Sequence, residues 1–485
     1  MTQTAFERPS GAVSPSVPTD PAGPTGQLAT WLAETSLTDV PAEVASRASY
    51  LLLDGIGCLL VGAQLPWSKT AVEAVTALDG DGTSMIAGWG KTTSAPSAAM
   101  LNSSFIQGFE LDDYFPAAPL HANSLVLPAI MAVVGQRPDT TGAEFLLAAI
   151  LGYEVGPRVG LALHGGQMLS RGWHSGVVFG PAAAAAAAGS LYGLTAAGFE
   201  DALGIAVTQS CGLMAAQFES MVKRMQHGFA SRNGLYAAAL ASAGYVGIKR
   251  VFEREYGGFL AAFGEGHDPD PTQISAELGT RWDTLDYGIK PYAAMGGLHA
   301  AIDASLALQA AAPIDPTQIR HIRVDVSDGV FKHGGFDITR PLVPITAQMS
   351  LKYTVPVVLL DRAALVDQYR PDRLNRDDVW DLIARTQITH DETFDPGDAG
   401  YTTRVSVTTD DGNTRSQVIE RPRGGLGNPL TDDEIVAKYR MLTEDVLDHS
   451  RRDQIQDAVL TMADNPSGPR DLLGLLTAPV RNVLS

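Results

Sequence analysis

Cysteine is nearly missing from the 485 residues: only Cys58 and Cys211 occur, both within apolar stretches read as helical. Two thiols cannot supply a disulfide framework, zinc-finger spacing, or the three or four thiolates of a self-contained iron-sulfur cluster, and they fit a reducing compartment. Positive charge is also scarce, with 35 Lys and Arg against 54 Asp and Glu, a net charge of -19. Nucleic-acid binding draws its affinity from neutralised phosphates, so that class of function is excluded, and no nucleic-acid partner is expected. A small anion is not excluded, provided basic groups are concentrated locally within the repelling field. Long apolar runs are missing as well. Gly234 to Ile248 and Gly176 to Leu191 are mostly Ala and Gly and fall short of the roughly 20 residues that span a bilayer, so buried helices and no membrane partner are expected. The first 24 residues have no apolar core of a signal peptide and a single basic residue, Arg8. They read as a disordered leader on a cytoplasmic protein.

What the chain has is 45% hydrophobic residues, enough for a large core, and a length that suggests two to three domains. From Thr25 to about Ala276 the apolar spacing is helical almost throughout, which makes the fold class mainly α. Pro41 stands where a first helical turn tolerates it, before a run from Val44 through Leu59. Further helices are predicted at Ser94 to Phe109, Ser124 to Val134, Ala143 to Ala162, Val177 to Tyr192, Thr195 to Met214 and Asn233 to Arg254. Seven alanines, Ala182 to Ala188, between Gly180 and Gly189 suggest close helix contact. After Pro269 and Pro271 the pattern changes. Ile322, Val324 and Val326 alternate with Arg323 and Asp325 as in a half-exposed strand, and Arg404 to Glu420 reads as a hairpin turning at Asp410-Asp411-Gly412-Asn413. Helical segments near Ala347 to Leu359 and Asp377 to Ala384 lie between. The expected organisation is a leader over 1–24, an all-helical domain over 25–284, a smaller α+β domain over 285–423, and C-terminal helices over 424–485, capped at Thr431, packing back on the helical domain.

Glu110 to His121 stands apart, with three carboxylates, a phenol and an imidazole within twelve residues, flanked by small and apolar segments. Pro116 and Pro119 cannot both sit inside a regular helix, so a loop between two buried helices is predicted, aiming polar groups into a pocket. The simplest structural roles here are Asp112 or Asp113 as a helix cap and His121 as a packed core histidine. Three further tracts gather basic or imidazole groups: Gly172-Trp173-His174, Lys223-Arg224-Met225-Gln226-His227-Gly228, and Gly288-Ile289-Lys290-Pro291-Tyr292 with Gly296-Gly297-Leu298-His299. Taken singly, each histidine is more often packed or surface-exposed than catalytic, and Lys223 with Arg224 more often a solvated face. Four such tracts in a chain this poor in Lys and Arg suggest one shared site.

Together with Leu51-Leu52-Leu53-Asp54-Gly55-Ile56-Gly57-Cys58, Asp201-Ala202-Leu203-Gly204-Ile205-Ala206 and Tyr256-Gly257-Gly258-Phe259, these tracts resemble the MmgE/PrpD family. That family includes 2-methylcitrate dehydratases and cis-aconitate decarboxylases, and the likeness is to the fungal type of the latter in particular, over about residues 25 to 480. The resemblance implies a large all-helical domain with a smaller α+β lid, a homodimer, a small tricarboxylate substrate, and a cleft that uses neither metal nor organic cofactor. By motif it places catalytic roles on Glu110, Tyr114, His121, His174 and Lys223, and substrate contacts on Lys290, Tyr292 and His299; Arg224, by its charge, is read as a further anion binder. Some decarboxylases carry a histidine where Met295 stands here.

The chemistry follows without the family. Loss of CO2 from cis-aconitate leaves an allylic carbanion whose charge spreads into a carboxylate, and a buried cation such as Lys223 would steady it. A histidine, His121 first and His174 second, would then protonate the far alkene carbon to give itaconate. A dehydratase would use the same parts to remove a proton beside a carboxylate and protonate a departing hydroxyl. A third reading, of another class, is a catalytically silent helical dimer that binds polycarboxylates.

Overall fold

The computed structural model describes residues 16–395 and 401–484. The chain is mainly helical, with small sheets. Its central helix, Ala42–Ala63, follows Pro41 and is buried on every face from Leu51 to Ala63. A helix apolar all round has no face to offer water and must lie inside a core. Around it pack Ala95–Ile106, Ala122–Gln136, Gly142–Ala162 and, from the C-terminal segment, Asp432–Thr443. Thr141 with Glu144, and Thr431 with Glu434, start their helices by reciprocal capping boxes.

Ser175–Tyr192 carries the alanine run and lies between Gly142–Ala162 and Val222–Ser242. A Cβ on Gly234 would stand 2.4 Å from the Ala184 Cβ and 2.6 Å from the Pro181 carbonyl oxygen, so these backbones meet as the small residues suggest. Gly234→Val should therefore lower stability by about 1–3 kcal/mol through overpacking, read as an earlier urea midpoint with an unchanged slope.

Three helices, Ala42–Ala63, Gly142–Ala162 and Ser175–Tyr192, are in fact long and apolar enough to cross a membrane, and 78%, 89% and 89% of their apolar windows are buried inside the protein. Counting unbroken apolar runs underestimated the first two, because Asp54, Glu154 and Arg158 interrupt the runs without lowering the mean much. Two predicted helices moved. Thr195 to Met214 stops early, as Ala196–Val207, and the next helix is Val222–Ser242, not Asn233 to Arg254. Gly212, at φ +125°, turns the chain so that Met214 N–H donates to the Gly172 carbonyl (2.8 Å) and His174 N–H to that of Gly212 (3.2 Å). Cys211 is consequently exposed in this link rather than on a helix.

Beyond Gly288 a four-stranded sheet runs in the order Thr386–His390, Ile319–Val326, Thr403–Thr409, Thr414–Ile419, with only the first pair parallel. His299–Ala311 packs on this sheet and against Leu351–Asp361. The hairpin turns at Gly412, φ +83°, where the Asp411 carboxylate accepts from the Thr409 hydroxyl and Asn413 N–H. Asp325, expected on the half-exposed face, is buried. Arg323 (2.7 Å), Arg404 (3.3 Å) and the Thr389 hydroxyl (2.7 Å) supply what water would have.

Residues 1–15 of the expected leader lie outside the described residues. From Thr19 the chain is already fastened, its N–H and hydroxyl donating to Glu200 at 2.9 and 3.0 Å, and a helix begins at Pro24.

Candidate active site

The stretch from Glu110 to His121 is a loop between two buried helices, as its prolines require. It opens on Glu110 at φ +56° after a short turn, pairs Asp113–Tyr114 with Gly288–Ile289, and closes through a hydrogen bond from Phe115 N–H to the Leu120 carbonyl (2.9 Å). Asp113 is the cap: its carboxylate accepts from Ala122 N–H (2.7 Å) and Asn123 N–H (3.0 Å) at the start of Ala122–Gln136. Burial, with Asp112 and Asp54 nearby, pushes the Asp113 carboxyl up to about 8. From behind, Lys438 reaches out of the C-terminal helix to Asp54 and the Leu111 carbonyl, both at 2.5 Å.

Four charged side chains meet in front of this loop. The Lys223 Nζ lies 2.5 Å from the Glu110 Oε1, and the Lys290 Nζ lies 3.3 Å from both the Glu110 Oε2 and the Asp112 Oδ1. All are buried, Lys223 with 3% of its surface exposed and Asp112 with none. Burial alone would raise the Glu110 carboxyl, but Lys223 and Lys290 hold it well below the usual carboxylate range. Burial lowers Lys223, with Glu110 opposing. Lys290 is raised despite its burial, because Asp112 and Glu110 flank it. Burial raises Asp112 even beside Lys290.

Three imidazoles adjoin these charges. His121 Nδ1 donates to the Asp113 carbonyl (2.7 Å) and lies 3.3 Å from the Asp112 Oδ2. His174 Nδ1 faces the Gln226 Oε1 at 2.6 Å; the amide is fixed in that sense because Gln226 Nε2 donates to the Leu213 carbonyl (3.1 Å). Both neutral rings thus carry their proton on Nδ1 and leave the Nε2 lone pair for chemistry. His227 sits between them, ring centroids 5.2 Å from His121 and 4.8 Å from His174. Burial, and then the neighbouring lysines and imidazoles, keep all three neutral, with His174 at about 3.

The backbone adds to this. His121 and His174 are the N-cap residues of Ala122–Gln136 and Ser175–Tyr192, while Lys223 and His227 occupy the first two turns of Val222–Ser242. Three positive helix ends therefore point at one place, a setting that favours anions in an otherwise acidic chain.

The structure thus brings together Glu110, His121, His174, Lys223 and Lys290. Arg224 stands beside this cluster with its guanidinium already occupied by protein groups. One residue on from Lys223, about 100° around the helix, its guanidinium donates to the Gly108 carbonyl (2.6 Å) and the Gln348 Oε1 (3.2 Å) and lies 4.1 Å over the Trp67 ring. It braces the turn that leads into the loop. Nor are the Tyr292 hydroxyl and the His299 Nε2 free for substrate. Tyr292 donates to Asp303 (2.6 Å), His299 Nε2 bonds the Ala294 carbonyl (3.0 Å), and the two rings pack edge to face at 5.3 Å. Tyr114 is buried on the loop, with its ring against Gly288 and its hydroxyl against Gly425, where a Cβ would come within 2.7 Å. Met295 packs its terminal methyl near Gly334.

Two members were noticed in the sequence but given no role in the site. His227 lies four residues after Lys223, one helical turn, a relation visible only when the helix is known to start before Lys223. Asp112 had been taken as an alternative cap and instead pairs with Lys290. Among the described residues no group of three or more His, Cys, Asp or Glu is placed to hold a metal ion. The arrangement can hold carboxylates on two ammoniums, stabilise charge spreading through a conjugated anion, and move a proton at an imidazole Nε2.

Residues 26–272 match the family model for the MmgE/PrpD N-terminal domain, and 292–464 that for the MmgE/PrpD C-terminal domain. The chain is 43% identical to a cis-aconitate decarboxylase-like protein, oryM, of Aspergillus oryzae, over 93% of this chain and 97% of the relative. It is 41% identical to a cis-aconitate decarboxylase of Aspergillus terreus, over 95% and 97%. To the human cis-aconitate decarboxylase it is 26% identical over 83% and 84%. On these matches, which together cover nearly all of the described residues, the chain belongs to the MmgE/PrpD family.

Proposed function

We propose that this protein is a carboxy-lyase that converts cis-aconitate to itaconate and CO2 without a metal or organic cofactor. The observation that carries the reading is the convergence of Lys223, Lys290 and the three imidazoles at three helix N-termini in a buried site. The names of the fungal and human relatives support it.

In this reading the substrate carboxylates bind at Lys223 and Lys290 alongside Glu110 and Asp112. As the carbon-carbon bond to the leaving carboxylate breaks, its electron pair enters the allylic system, and Lys223 stabilises the charge in a site poor in water. His121 or His174 delivers the proton to the far alkene carbon. Glu110 holds Lys223 in place and tunes its charge, and Tyr114 contacts a substrate carboxylate. The sheet-bearing C-terminal part serves as a smaller lid over the large helical domain. We propose further that the enzyme is a cytoplasmic homodimer, joined through the outer stripe of Val222–Ser242, where Val222, Tyr236 and Leu240 are exposed beside Met221, Tyr245 and Val246.

Purified protein given cis-aconitate, with EDTA throughout, should release CO2 and itaconate in equal amounts at the rate seen without chelator. Alkene formation from 2-methylcitrate or citrate with no CO2 would replace this reading by a dehydratase. Binding of all three without turnover would replace it by a carrier, and loss of rate in EDTA would sink the cofactor-free part.

A further inference from the structure

Count the charges that meet in the site. Lys223 and Lys290 supply two ammoniums, Glu110 and Asp112 two carboxylates, so the cluster is neutral when all four are ionised. The chain around it carries a net charge of -19. A fully ionised tricarboxylate entering such a site brings negative charge that the partial charges of three helix ends only partly offset, and buried unbalanced charge is far costlier than charge in water. The balance has to come from groups that titrate.

The groups that face the cluster come from several elements, with Arg224 and His299 flanking it within electrostatic reach of Glu110. The loop contributes Glu110, Asp112, Asp113 and His121, the Val222–Ser242 helix Lys223 and His227, the start of Ser175–Tyr192 His174, and the end of Gly288–Ile289 Lys290. Behind the loop stands the Asp54–Lys438 pair. The lysines already carry their protons, and Asp113 is engaged as a cap. Asp112 is paired with Lys290, and His299 spends its Nε2 on the Ala294 carbonyl, which leaves the three imidazoles of the cluster. Of these, His227 is fully buried, and neither its Nδ1 nor its Nε2 has a hydrogen-bond partner. A buried N–H with no acceptor is unfavourable, and one that persists beside two other imidazoles and a buried ion-pair cluster asks for a role. His227 also lies in ring contact with both His121 and His174, so charge on any of the three is felt by the others.

We propose that His121, His227 and His174 form a proton store that the substrate itself fills: arrival of the polycarboxylate draws about one proton from solvent onto the imidazole stack, with His227 the positioning residue that shares it between the other two. The inference rests on the polycarboxylate reading above. In the empty site two ammoniums and burial oppose a positive imidazole. Incoming carboxylates reverse that balance, and the acid is charged only when there is something to protonate. The stoichiometry closes. Trianionic cis-aconitate plus one proton gives dianionic itaconate plus CO2; the bond to the leaving carboxylate breaks, its electron pair moves through the allylic system, a C–H bond forms from the imidazolium, and the imidazole returns to neutral.

Calorimetric titration with tricarballylate, a saturated tricarboxylate that has no allylic system and cannot lose CO2, tests this at about pH 7.5 in buffers of different ionisation enthalpy. Wild-type protein is expected to take up about one proton per ligand bound, with affinity falling about tenfold per pH unit above neutrality. His227→Gln, checked for an unchanged thermal transition, should bind but take up well under one proton, and its kcat should fall more than its KM rises. Binding with no linked proton overturns the proposal and leaves the polycarboxylate reading standing. No binding at all overturns both, and undiminished uptake in His227→Gln overturns the part given to that residue.

Discussion

Lys223→Ala should lower kcat on cis-aconitate by at least about 10²–10³, the effect of removing one preorganised group aimed at developing negative charge. The structure adds a second consequence. Lys223 and Glu110 are a buried pair at 2.5 Å, and removing one partner of such a pair costs about 3–5 kcal/mol because the other charge stays behind. Lys290, 3.3 Å from the same carboxylate, should limit that loss without cancelling it. A drop in activity of the single variant therefore mixes chemistry with instability. The double variant Lys223→Met with Glu110→Gln removes both charges, and should recover much of the single variant's lost melting temperature while remaining inactive. Near-normal turnover in either protein would show that the ammonium is not the group that stabilises the carbanion.

His174→Asn should lower kcat by about 10²–10⁴, the usual range for a lost proton donor, with a smaller change in KM. It should also alter the response to acid in a direction that can be worked out. Burial, Lys223 and His121 hold the His174 imidazole down at about 3, whereas in the unfolded chain it titrates near 6.5. Between those values the unfolded chain binds a proton that the folded one refuses, so stability is intact above about pH 6.5 and declines as pH falls toward about 3. The asparagine variant lacks this contribution. Its stability difference from wild type should move in its favour on acidification, measured by urea unfolding at pH 7 and pH 5. Parallel curves at the two pH values would mean that His174 is not buried neutral in the folded protein.

Much of this could be read from residues because it rests on local chemistry. Two prolines with charges between apolar flanks leave the chain around Asp112 and Asp113 little choice but a loop, and a carboxylate nine residues before a helix start found the orphan N–H groups of Ala122 and Asn123. The hairpin at Gly412 and the cap at Thr431 are equally local. What escaped depends on the partner surface. The Val222–Ser242 helix begins with Lys223, Arg224, Gln226 and His227, a polar opening that looks like a solvated loop until three other segments close over it. Once that start is misplaced, the one-turn relation of Lys223 to His227 is hidden, and Arg224 looks like a partner of Lys223 when the helix turns it toward Gly108 and Trp67. Asp325 shows the same limit in the sheet, since alternation assigns its face while Arg404, a residue of the neighbouring strand, decides that the face is covered.

The grip of Lys438 on the Leu111 carbonyl spans 327 positions of sequence. During synthesis every other segment that lines the site leaves the ribosome before the clamp on its loop does. A chain that stops short of Lys438 leaves the Leu111 carbonyl without its clamp and the buried Asp54 without its cation, so the loop reaches its final setting only after the closing helices have docked.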